Sequence, residues 1–232
     1  MTTQSWYDAR GRQIKTRNAN GLFNKQSYDT AGRLTAAYVC YDDDEPASAS
    51  TTLAEAANVS GDIVIEQTKQ TYDAKGNVWL SEHFRRYDNA PDNSEGALQY
   101  PTGSDPKAVV TYTVNWFDEL GRAKTTAYYG TNGGTQITTL PAEPTPGASA
   151  DVIVTKYDYS ADTGRLTATY DNKNRKTTRI YDDLGRTTSV IENDVQTPSG
   201  SDEDRTTEYA FDSKGRMARI TAKNSTTGDQ GK

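Results

Sequence analysis

A carboxylate followed four positions later by a guanidinium, with an aromatic ring directly ahead of it, recurs along this chain. Such a trio suits three kinds of chemistry: oxygen ligation of a metal ion, acid–base work on a glycosidic bond, or an ion pair that locks a turn. A calcium loop needs acids at alternate positions around a central Gly, but the one acidic run, Asp42-Asp43-Asp44-Glu45, is contiguous and reads as a solvated loop. Paired carboxylates for glycoside hydrolysis could come from any of the 32 acids, yet no motif singles out a pair. His83 has no Ser or Cys nucleophile in a recognisable arrangement, and Cys40 follows Val39 in a strand-like run, so each reads as structural or merely exposed. One Cys and one His exclude an intrachain disulfide and zinc sites of the CxxC or HxxxH kind. Trp6, Trp79 and Trp116 could stack on sugars. Trp116 is in phase with Val110, Tyr112 and Val114, and Trp79 lies between Val78 and Leu80, so packing is the better reading. Asn58-Val59-Ser60 and Asn224-Ser225-Thr226 match the glycosylation sequon without further support.

Turn locking is left, and the spacing favours it. Asp at position i and Gly at i+3 are preferred ends of a type I turn, the Asp side chain accepting backbone N–H groups and the Gly taking positive φ in a bulge. The hexapeptide aromatic-Asp-x-x-Gly-Arg recurs at Tyr7-Asp8 to Gly11-Arg12, Tyr28-Asp29 to Gly32-Arg33, Phe117-Asp118 to Gly121-Arg122, Tyr181-Asp182 to Gly185-Arg186 and Phe211-Asp212 to Gly215-Arg216. Tyr72-Asp73 to Gly76 carries Asn77 in place of Arg, and Tyr157-Asp158 to Gly164-Arg165 carries an insertion. Each copy is expected to be a hairpin tip, with the aromatic closing the incoming strand and the Arg opening the outgoing one, in reach of the Asp or of the ring.

The elements that hold the tips follow from the residues between them. Val110, Tyr112, Val114 and Trp116 alternate with Thr111, Thr113 and Asn115, as in a strand with one buried face. Similar strands are predicted over 62–71, 78–86, 152–157, 187–191 and 217–222, giving about fourteen strands in seven antiparallel hairpins. Of the connections on the opposite edge, Asn18 to Gly21 and Tyr170 to Arg175 are tight, the second a degenerate tip with Asn174 at the Gly position. Four others, at about 42–61, 88–107, 131–150 and 193–204, are long and rich in Pro, Gly, Ser, Asp and Asn. They are expected as loops on one edge of a single array over 1–232. Only Thr52 to Ala57 looks helical.

Composition fits this picture. Hydrophobic residues make up 33%, with 15 Tyr, which suits a half-solvated sheet. The net charge is −6 and the Lys and Arg residues are dispersed, which argues against nucleic acid and anionic lipid as partners. No apolar run approaches the roughly 20 residues that cross a bilayer. The first residues lack the pattern of a signal peptide, so the chain is expected to be soluble and cut from something longer.

Tyr-Asp-x-x-Gly-Arg followed by Leu or Thr, with Tyr28 coming 21 positions after Tyr7, resembles the YD-repeat (RHS repeat) family. In that family hairpins coil into a spiral β-sheet that forms a hollow shell around a toxic C-terminal cargo, or, in the similar teneurins, a barrel used in adhesion. The resemblance implies an all-β fold, a repeat array forming a curved or spiral sheet, part of such a shell. The insertions stretch the family's spacing, and no segment resembles the catalytic or toxic part of such proteins. Fourteen strands at about 4.8 Å would close into a ring of roughly 20 Å. A 100-residue passenger has a radius of gyration of about 13 Å, so this chain is at most one arc of a shell.

The function expected is therefore non-enzymatic: a structural or interaction segment of a secreted or surface protein, bacterial by its resemblance, that needs no cofactor. Its partners would be neighbouring repeats or other copies meeting the open edges near 1–7 and 216–222, with a cargo domain or a cell-surface glycan as further candidates. The alternative is a carbohydrate-binding or adhesion module whose insertions form the recognition surface and could be removed without unfolding the sheet.

Overall fold

Alternation of apolar and polar residues, together with many Thr, Val, Ile and Tyr, makes strands, and the positive-φ residues between them make the chain reverse. The computed structural model describes residues 3–18, 21–42, 53–91, 94–224 and 228–231. Two compact units divide it: Met1–Asn115 with Tyr128–Pro141, and Trp116–Ala127 with Ala142–Lys232.

The first unit holds β1 (Gln4–Tyr7), β2 (Gln13–Arg17), β3 (Phe23–Tyr28), β4 (Leu34–Asp42), β5 (Asp62–Tyr72), β6 (Val78–Arg86) and most of β7 (Ala108–Phe117). Each strand pairs antiparallel with the next in chain order. In β7 the expected alternation is complete: Ala108, Val110, Tyr112, Val114 and Trp116 are buried, while the residues between them are not. One cross-strand row runs Lys25, Tyr38, Gln67, Phe84, Val110. The residues of β8 (Ala123–Gly130) are divided between the two units.

The second unit continues with β9 (Ile153–Tyr159), β10 (Leu166–Tyr170), β11 (Lys176–Tyr181), β12 (Thr187–Glu192), β13 (Arg205–Phe211), β14 (Met217–Asn224) and β15 (Gly228–Gly231), again each paired antiparallel with its neighbour. The fold is all-β apart from one short helix and one 3-10 turn among the described residues. The described residues hold fifteen strands, in line with the roughly fourteen expected, and the last of them, β15, pairs with β14 along Thr221 to Asn224. Within the edge near 216–222 that was expected to be open, Thr221 and Ala222 are paired with β15.

The long insertions differ more from expectation. All four bond back to the strands, and the first two add buried apolar side chains. In the first, α1 (Leu53–Ala57) packs on β1, β2 and β3 with Ala56 fully buried, and Asp62 ion-pairs with Lys25 at 2.9 Å, both side chains nearly inaccessible. In the second, Leu98 is fully buried and its N–H donates to Gln67 Oε1 at 2.8 Å, while Tyr100 donates to Glu82 at 2.6 Å and packs on Phe84 at 5.2 Å. In the third, Glu143 accepts from the Thr125 hydroxyl and meets Lys124 at 2.7 Å. In the fourth, Asp194 accepts from Thr178 and Lys176. Removing the first two would uncover apolar side chains and take from the buried Lys25 its bond to the Asn58 carbonyl at 2.7 Å, so they are not detachable loops.

Candidate functional site

Six of the seven tips are built from their own Asp. At the first, the Asp8 N–H donates to the Arg12 carbonyl at 2.9 Å and the Gly11 N–H to the Asp8 carbonyl at 2.9 Å. Asp8 Oδ1 accepts from the N–H groups of Arg10 and Arg12, and Oδ2 from Arg12 Nε at 2.7 Å. Gly11 has a φ of 76°, a conformation that costs a side-chain-bearing residue about 1–2 kcal/mol. The same pattern of turn, caps and ion pair recurs at Asp29–Arg33, Asp118–Arg122, Asp182–Arg186 and Asp212–Arg216. Asp73 makes the same turn and caps, with a hydrogen bond from the neutral Asn77 amide, Nδ2, at 2.9 Å in place of the ion pair. The strands bulge at each of these aromatics where pairing is described, as the extra turn residue requires.

These bonds hold the carboxylates ionised. The backbone N–H of Arg12 and then its guanidinium hold Asp8 below the ordinary carboxylate range, and Arg33 and Arg216 do the same for Asp29 and Asp212. At Asp182 the Arg186 side chain is the largest cause. At Asp118, burial pushes upward but is outweighed by the bonds from Arg122.

The tips also touch one another. The Arg that closes one tip lies over the aromatic ring that opens the next: Arg12 over Tyr28 at 4.4 Å, Arg33 over Tyr72 at 4.4 Å, Arg122 over Tyr159 at 4.3 Å, Arg165 over Tyr181 at 5.8 Å and Arg186 over Phe211 at 4.2 Å. The hydroxyl of each Tyr donates back to the carbonyl just after that Arg, Tyr28 to Gln13, Tyr72 to Leu34, Tyr159 to Ala123 and Tyr181 to Leu166, at 2.7–2.9 Å. Arg12, Arg33, Arg122 and Arg186 thus each join their own Asp to the following tip, a cation–π contact and an ion pair sharing one guanidinium. The sequence reading allowed the Arg to reach a ring but did not find that the ring belongs to the next repeat.

One tip is placed differently from the sequence reading. Tyr157 and Asp158 lie inside β9, and the turn is made by Tyr159 and Ser160: the Ser160 N–H donates to the Arg165 carbonyl and the Gly164 N–H to the Ser160 carbonyl. Ser160 Oγ accepts from the Thr163 N–H, taking the place of the Asp side chain in a turn one residue longer. Asp158 instead accepts from the Tyr170 hydroxyl at 2.9 Å. The missed signal was the distance back from Gly164-Arg165. On the opposite edge, Asp171 to Arg175 does form the tip pattern, with Asn174 at a φ of 60°.

Trp116 is buried, whereas Trp6 and Trp79 are half-buried. Cys40 is fully buried, its Sγ 3.6 Å from both the Phe23 carbonyl and Asp62. His83 is exposed on β6 opposite Thr68 and Thr111. Asn58 caps its own loop by accepting from the Ser60 N–H. Asp43, Asp44 and Glu45 lie outside the described residues, as do Ser225 and Thr226. Among the described residues no three His, Cys, Asp or Glu gather as a metal centre would require, and no helix is long and apolar enough to cross a membrane.

No family model matches the chain, and neither does any curated protein. Among solved structures it is similar to the TcdB2-TccC3 complex, with 17% identity and a TM-score of 0.28 over 95% of this chain and 13% of that one. It is also similar to TcdB2-TccC3 without its hypervariable C-terminal region (18% identity, TM-score 0.28, 95% and 13%). A third similarity is to the Photorhabdus luminescens Tc holotoxin pore (16% identity, TM-score 0.26, 99% and 15%). The chain spans 13 to 15% of the length of these chains.

Proposed function

We propose that this chain is a non-catalytic wall segment, a run of hairpins that serves by scaffolding and by contact within a longer secreted or surface-displayed bacterial protein. The observation that carries this reading is the tip ladder. Its carboxylates and guanidiniums, the groups best suited to chemistry, are each engaged in a turn, an ion pair or a ring contact. A catalytic acid needs a proton to give near neutral pH, and tip carboxylates held below their ordinary pKa have none. Nearest-neighbour coupling of like units is how repeat proteins gain rigidity, and a stiff sheet of this kind suits enclosure of a cargo as one arc of a shell.

The test is a screen of the purified chain on polysaccharide and peptide substrates, run beside hydrogen exchange. No turnover above blank, with protected amides at every tip, is expected. Turnover lost in an Asp171→Asn or Glu192→Gln variant that keeps its fold would overturn the reading.

A second reading, glycan recognition, draws on one feature: a polar cleft of about 470 Å3 in the second unit, where Thr169, Thr177, Glu192 and Arg205 form a cross-strand row beside Asp171 and Arg175. Hydroxyls, carboxylates and guanidiniums in such a row suit sugar hydroxyl groups. Saturating binding on a glycan panel, abolished by Thr177→Val, would favour it.

A further inference from the structure

One cavity in the first unit takes no part in the tip ladder. It has a volume of about 270 Å3 and is lined by Tyr87, Pro101, Val109, Val110, Tyr112 and Thr131. Tyr rings, a Pro ring and Val side chains make this lining largely apolar. The only polar side-chain atoms these residues carry are the hydroxyls of Tyr87, Tyr112 and Thr131.

Tyr112 is the residue without an internal explanation. It is 2% exposed, yet its hydroxyl has no hydrogen-bond partner among the described residues, whereas nearby Tyr100 gives its own to Glu82. A buried hydroxyl left unsatisfied is costly, and a ligand that supplies the missing bond recovers that cost. Glu82 lies directly across from Tyr112 on β6 and is itself 6% exposed. Burial and that carboxylate push the Tyr112 hydroxyl above its ordinary range, so it stays protonated at neutral pH. The same negative charge disfavours an anionic ligand.

These features select among ligands. An apolar cavity of about 150 Å3 holds benzene, so the volume here suits one substituted ring. A sugar carries a hydroxyl on almost every carbon and would leave most of them unpaired against Pro101, Val110 and the Tyr rings. A neutral aromatic ring with one hydroxyl packs on those walls and can donate to Tyr112 or accept from it.

We propose that this cavity is a binding site for a phenol, its ring packed against Tyr87, Pro101 and Val110 and its hydroxyl bonded to that of Tyr112. The site does not depend on the wall reading, which fails separately, on turnover or on unprotected tips.

The experiment is an NMR amide-shift titration of the intact chain with p-cresol, toluene and p-toluate, rings of one size that differ in a single group. p-Cresol should move the Val110 and Thr131 amides and bind about tenfold more tightly than toluene, the order of one hydrogen bond. p-Toluate should bind at least about tenfold more weakly than p-cresol, because its charge faces Glu82. In Tyr112→Phe the advantage of p-cresol should vanish, while the amide spectrum and the toluene affinity stay those of the wild type and so show an intact cavity. N-Acetyl-tyrosinamide separates the two sources of such a ring: affinity within about threefold of p-cresol assigns a tyrosine side chain, and weaker binding a free phenol. Equal affinities for p-cresol and toluene, a preference that survives in Tyr112→Phe, or shifts confined to other residues would each overturn the site.

Discussion

The guanidinium of Arg33 lies 4.4 Å over the ring of Tyr72, across the whole first insertion, while donating to Asp29 at 2.7 Å. Tyr72 answers with a hydrogen bond to the Leu34 carbonyl at 2.7 Å. One residue therefore closes its own turn and fixes the position of the next, which converts a set of local turns into a coupled row.

That coupling is measurable in a double-mutant cycle. Arg33→Ala and Tyr72→Leu, singly and together in urea melts, should show an interaction energy of about 1 kcal/mol. A cycle that closes to zero would mean that the two residues act independently.

Gly185 separates backbone strain from contact. A Cβ there would collide with the Arg165 guanidinium, whereas at Gly11 it would meet open space, and both residues have positive φ. Gly11→Ala should cost about 1 kcal/mol for the conformation alone. Gly185→Ala should cost more by roughly 0.5–1 kcal/mol, as Arg165 is pushed off Tyr181. Equal losses in thermal melts would remove the contact from consideration.

Lys25 and Asp62 form a buried pair beside Cys40. Asp62→Asn leaves a cation out of water without its counter-charge and should destabilise the first unit by about 3–5 kcal/mol. Lys25→Met with Asp62→Leu should recover most of that loss. If the single and double variants melted alike, the pair would not be what holds the first insertion in place.

Acid should loosen the tips together. Asp8, Asp29, Asp182 and Asp212 have folded pKa values below the ordinary 3.8. Their contribution to stability is complete above that value and is lost as pH falls through the lower folded values. Stability should thus be flat with respect to these groups from neutral pH down to about 4 and fall below it. NMR titration of the four carboxyl carbons checks the direction, and a folded pKa above 3.8 at any of them would contradict the turn geometry given for that tip.

How far the sequence could be read depended on the range of the interaction. The Asp-x-x-Gly turns were legible because four consecutive residues contain the whole mechanism. The β7 alternation was legible because a strand's period is two. The contact of Arg33 with Tyr72 was not, since the chain between them varies in length from repeat to repeat and no local pattern marks the partner. Tyr157-Asp158 drew the eye from Tyr159-Ser160 because Asp158 matches the motif, while Ser160 caps the same turn with a hydroxyl. The insertions looked detachable because the apolar residues around Ala56 and Leu98 are few and show no strand-like alternation, and only the fold shows that both are buried.

The most direct test of the ladder is residue-resolved hydrogen exchange on the wild type and an Arg122→Ala variant. Arg122 lies over Tyr159 and donates to the Gly164 carbonyl at 3.0 Å. Loss of that residue should cost the amides of Ser160 and Gly164 about tenfold in protection, roughly 1.4 kcal/mol, and leave those of Asp29 and Gly32 unchanged. Unchanged protection at Gly164, or an equal loss at Gly32, would contradict a wall built by each tip holding the one after it.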